Sequence, residues 1–233
     1  MSCVLDLAIG ACDFVEQVMC GGATASWYTI LHHSSNLSVA ISLVEKTSDE
    51  ELESMRCDLS AYTTAHIVPL FNRSNERPGE TNINPILIAL VNFVRVLSGR
   101  CIWTPDTYST LSQFAFSLTR SGSARLRICG IELGSELLGY KPDQVCASYH
   151  MKRFIDLWVT SYRFDDMSTR LAQLGFVSTI LKNGALIPNL TMASVIKIRS
   201  LLIRLTHSEN FRVADLADSV LGLFRTHFPQ QMD

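Results

Sequence analysis

Along most of this chain, apolar side chains recur every three or four residues, the period of an α-helix with one buried face. Leu5, Ile9, Cys12 and Val15 form such a stripe in the first segment. Another begins in "TSDEELESMRCDLSAYTTAHIVPLF", where Ser48 is followed three residues later by Glu51 and further acid fills the first turn. That is a capping box, in which side chains satisfy the free N–H groups of a helix start. Pro69 is expected to end or kink this helix, because it lacks an N–H and its ring crowds the preceding turn. Two more segments open on proline and close on glycine: "PILIALVNFVRVLSG" at Pro85 and Gly99, and "PDTYSTLSQFAFSLTRSG" at Pro105 and Gly122. Pro142 opens "PDQVCASYHMKRFIDLWVTSYR", and the last helices are expected at 165–181, 191–206 and 211–228.

Three stretches read differently. "WYTILHHSSNLSVAISLVEK" (27–46) is ambiguous, since Ser34-Ser35-Asn36 serves equally as a turn between two short strands or two short helices. "SARLRICGIELGSELLGY" is interrupted by three glycines. "NRSNERPGETN" (72–82) is polar, has no period and contains Gly and Pro, so it reads as a loop or linker. The expected class is all-α, a multi-helix bundle of about seven or eight helices, with a short β-hairpin near residues 27–44 as the one β alternative. The expected organisation is an acidic helical subdomain at 1–71, a loop or linker at 72–82, and a basic helical bundle at 83–233.

Composition narrows the setting. Of 233 residues, 47% are hydrophobic and 18% charged, which fits a globular core and excludes extensive disorder. The longest uncharged apolar run, 83–94, is too short to span a membrane. The apolar N-terminus lacks a basic start and carries Asp6, Asp13 and Glu16, unlike a secretory signal. Seven cysteines form no C-x-x-C pair, which predicts reduced, mostly buried thiols in a cytoplasmic protein.

The net charge of −2 conceals an asymmetry. Residues 1–82 carry 4 Lys/Arg against 11 Asp/Glu, and residues 83–233 carry 16 against 11, giving −7 and +5. An acidic front and a basic back suit either a polyanion-binding face or subunits that attract each other.

Enzymatic chemistry leaves no trace. There is no G-x-S-x-G elbow, P-loop, dinucleotide fingerprint or H-E-x-x-H, and no cysteine pair at zinc spacing. His32 and His33 are adjacent and point apart on a helix or a strand. No catalytic residue, metal site or cofactor is therefore expected.

Two basic stretches remain. In "TRSGSARLR", Arg120, Arg125 and Arg127 flank a Gly/Ser loop, a combination that suits phosphate oxygens as well as a solvated connection. "MASVIKIRSLLIRL" sets Val195, Ile198, Leu202 and Leu205 on one face and Lys197 and Arg204 on another, as in a core-facing helix or one that meets a membrane or partner. In "SYRFDDMSTRLAQLGF", Asp165 and Asp166 precede a stripe of Met167, Leu171, Leu174 and Leu181; acid in a first helical turn favours the macrodipole, and Asp165 can cap the free N–H groups.

The segment "YRFDDMST" also resembles one in the coat proteins of rod-shaped plant RNA viruses of the tobamovirus and tobravirus type, and "RLRI" (125–128) resembles their Arg-x-Arg-Ile stretch on the RNA-facing side. The resemblance implies that Arg125, Arg127 and Arg163 neutralise phosphates, and that Asp165 or Asp166 accepts hydrogen bonds from ribose or base edges. It implies a viral coat or nucleocapsid-like protein that binds single-stranded RNA without sequence preference, self-assembles, and resides in the cytoplasm and the virion. The alternative is a helical module that binds a host protein in a groove and touches no nucleic acid. The first reading needs Arg120, Arg125, Arg127 and Arg163 on one concave face; the second needs an exposed apolar patch.

Overall fold

The computed structural model describes residues 2–20, 26–75, 84–100, 103–139 and 166–231. Within them every regular element is a helix. The chain divides into two compact units, Met1–Phe114 and Ala115–Asp233.

The first unit opens with α1 (Ser2–Met19) and α2 (Trp27–Lys46). An interrupted helical run follows, comprising α3 (Asp49–Ser54), α4 (Arg56–Tyr62) and α5 (Val68–Asn75). Next come α6 (Asn84–Arg100) and α7 (Pro105–Leu118). α6 has no exposed residue along its length and packs against α2, which in turn packs against α1. This pairing joins α6 to the N-terminal unit. The division between the two compact units falls within α7.

The segment 27–44, for which a β-hairpin was open, is part of one unbroken 20-residue helix. Ser26 caps it by accepting from the Thr29 N–H at 3.1 Å. The helix runs straight through Ser34-Ser35-Asn36, and just beyond them Ser38 Oγ donates to the Ser34 carbonyl at 3.0 Å. Ile30, Leu37, Ala40 and Val44 are its buried face. α1 is rotated from the expected stripe: Val4, Ala8, Cys12 and Val15 are buried, whereas Ile9 is 37% exposed. Of the described cysteines, Cys12 and Cys129 are buried, and Cys3, Cys20 and Cys57 are exposed rather than hidden as expected.

The Ser48 cap forms where expected. Ser48 Oγ accepts from the Glu51 N–H at 3.3 Å, and its hydroxyl donates to the Glu51 carboxylate at 3.4 Å. Pro69 does not stop the helical run. A π turn at Thr63–Ile67 immediately precedes α5, widening the coil where a proline would otherwise crowd the carbonyl four residues back.

One arginine joins three elements of this unit. Arg100, at the end of α6, donates to the Val44, Glu45 and Thr47 carbonyls at 3.3, 3.0 and 2.8 Å and to Asp49 Oδ1 at 2.7 Å. Its positive charge lies on the negative end of α2, and its fork binds carbonyls of the last turn.

The second unit contains α8 (Ala124–Gly139), α9 (Met167–Lys182), α10 (Met192–Thr206) and α11 (Phe211–His227). α9 packs against both α8 and α11, and α10 packs against α11. Val195, Ile198, Leu202 and Leu205 are the buried stripe of α10. In α9 the stripe holds at Leu174 and Leu181, but Met167 at its start is exposed. The glycines of "RICGIELG" do not break α8. Gly130 is needed there, because a Cβ would lie 2.7 Å from the Ala115 carbonyl oxygen and 2.7 Å from Leu118 Cβ.

Candidate nucleic-acid interface

The arginine-rich stretch folds as the connection between α7 and α8. α7 closes with Thr119, whose hydroxyl donates to the Phe116 carbonyl at 2.6 Å, and the Ser121 N–H then donates to the Leu118 carbonyl at 3.0 Å. Ser123 precedes α8, and its carbonyl accepts from the Arg127 N–H at 3.0 Å.

The three arginines part company here. Arg120 and Arg125 are exposed, on either side of the Ser/Gly turn. Arg127 is buried and points inward. Its Nη1 donates to the Ser121 and Gly122 carbonyls, both at 3.0 Å, and its Nη2 donates to Asp166 Oδ2 at 2.8 Å. A guanidinium held this way shapes the turn from within and is withdrawn from a solvent-side phosphate.

Asp166 completes the network. It is the N-cap of α9, accepting from the Thr169 N–H at 2.8 Å through Oδ1 and from the Thr169 hydroxyl at 2.7 Å through Oδ2. Burial pushes its carboxyl up, but the Thr169 hydroxyl and N–H and the Arg127 guanidinium together hold it below the usual carboxylate range. Both oxygens thus accept hydrogen bonds within the protein, and Asp166 acts as a cap and ion-pair partner. Arg163 and Asp165 lie outside the described residues.

No sequence pattern announces the Arg127–Asp166 pair, which spans 39 positions. Nor does one announce the Arg100 clamp, whose contact with Asp49 spans 51.

The other reactive side chains are placed for packing. The Cys12 thiol is pushed up to about 11, chiefly by burial, with Asp13 and Glu16 adding to the rise and the adjacent Tyr62 hydroxyl opposing it. Such a thiol stays protonated at neutral pH and is a poor nucleophile. His33 stacks on Phe14 at 4.6 Å and is held below the usual imidazole range by burial and then by His32. Among the described residues, no group of three or more His, Cys, Asp or Glu is arranged to hold a metal, and no helix is long and apolar enough to cross a membrane.

A different surface was not read in the sequence. On α2, opposite the buried face, Trp27 (66%), Tyr28 (81%), Leu31 (49%) and Val39 (51%) are exposed. Neither a family model, nor a curated protein, nor a solved structure matches this chain.

Proposed function

We propose that this chain is a structural protein that self-associates and coats single-stranded RNA without sequence preference, as a viral coat or nucleocapsid protein does in the cytoplasm and the virion. One observation carries the reading: the charge asymmetry, sharpest at 82/83 in the sequence, persists across the division of the fold at 114/115. The unit 1–114 has 6 Lys/Arg against 12 Asp/Glu, a formal −6, and the unit 115–233 has 14 against 10, a formal +4. A polyanion is drawn to the second unit and repelled by the first. Arg120 and Arg125 are the accessible cations of the α7–α8 turn, and Arg127 fixes the turn that carries them. Weak contacts of this kind gain strength by repetition along a strand, so a net negative chain is no obstacle.

A second reading, a helical module that binds another protein, is favoured by the exposed apolar face of α2. The two predict different images. Negative-stain microscopy of the purified chain mixed with single-stranded RNA should show rods, rings or filaments that are missing without RNA. Dispersed particles of one size in both samples would favour the second reading.

A further inference from the structure

We infer that the outward face of α2 docks on the same face of a second copy of this chain, with the two helices antiparallel about a two-fold axis at Ser35. The inference concerns the self-association in the proposed function and is independent of RNA binding.

Isolated exposed apolar residues are ordinary, but a helix that is apolar on opposite sides is built to be covered on both. α2 packs on α1 and α6, and its buried side is lined by Ile30, Leu37, Ala40 and Val44. Its other side presents Tyr28, Leu31, Val39 and Leu43, with Trp27 beside them, to solvent. Residues 17–44 contain no Lys, Arg, Asp or Glu, so this surface lacks the charge that normally solvates an outer helix.

Three features select a second copy as the occupant. First, the stripe reads nearly alike in both directions from Ser35. Leu31 lies four residues before and Val39 four after, and Tyr28 lies seven before and Leu43 eight after. A two-fold contact requires that if residue i meets j, then j meets i, and an antiparallel pair centred on Ser35 sets each Leu31 against the other copy's Val39. The small serine at the centre lets the backbones approach. Second, a face without formal charge meets its own copy without like-charge repulsion, although the unit around it is acidic. Third, antiparallel pairing sets each helix's positive end near the other's negative end.

Area fixes the strength. These five side chains expose roughly 500 Å², less than the ~800 Å² per partner of a standard stable interface. The dimer is therefore weak, a pairing that forms at high local concentration.

Sedimentation velocity on the full chain without RNA, from about 1 to about 500 µM, tests this. The expected result is a reversible monomer–dimer equilibrium with a micromolar dissociation constant. Leu31→Lys should weaken it at least about tenfold with an unchanged helical circular dichroism spectrum. Adding Val39→Glu to Leu31→Lys should restore it, because the new charges face each other across the axis. A monomer at every concentration would overturn the inference and leave the face to a foreign protein. So would a dimer indifferent to Leu31→Lys, or a double variant weaker than the single one. RNA is absent throughout, so failure here is distinct from failure of RNA binding.

Discussion

Arg127 and Asp166 show how a residue's role depends on where its partner lies. Both belong to stretches whose composition suits RNA, yet their polar atoms meet each other and the backbone. Asp166→Ala should remove a helix cap and leave a buried guanidinium without its carboxylate, costing about 2–4 kcal/mol in urea unfolding. Linkage gives the pH direction. The folded-state pKa of Asp166 is depressed, so its contribution is fully present above the unfolded value and is lost as pH falls through the folded one. Unfolding measured below about pH 4 should therefore show a smaller difference between wild type and Asp166→Asn than at pH 7. A helix start at this point was legible because a cap acts over three residues, although the sequence pointed to Asp165 and the cap is its neighbour Asp166. The ion pair was not, because nothing local encodes a contact 39 residues away.

At the scale of elements, starts and stops were legible wherever the chemistry is local. Ser48 with Glu51, Pro105 and Thr191 each mark a helix that forms within a residue or two of its expected start. α2 was ambiguous for the reason that makes it interesting: apolar residues on both sides erase the one-sided period by which a surface helix is recognised. Glycine content likewise misled at α8, where Gly130 is a point of close approach. Gly130→Ala should destabilise by about 1–3 kcal/mol, because the gain in helix propensity is outweighed by a clash with the rigid Ala115 carbonyl. Gly175→Ala in α9, with nothing within 4 Å of its Cβ position, should instead stabilise by about 0.5–1 kcal/mol. Thermal melts of the two variants should thus move in opposite directions. Arg100→Lys should lower stability by about 1–3 kcal/mol, since one ammonium cannot replace a fork that serves three carbonyls and a carboxylate.

For the whole molecule, the all-α class follows from the repeated helical period, and the charge asymmetry is legible in the sequence alone. The boundary between units was not, because it depends on α6 packing against α2 and not on a break in composition. We propose that the acidic unit carries assembly and the basic unit carries RNA. The most direct test is the binding of the full chain to a fluorescent single-stranded RNA, measured by anisotropy across a salt series. Each phosphate contact should contribute a slope of about −0.7 in log affinity against log salt, and the Arg120→Ala/Arg125→Ala variant should flatten the slope by up to about 1.4 for every sequence alike. Absence of salt-sensitive binding at low ionic strength, or a slope unchanged in that variant, would contradict the account.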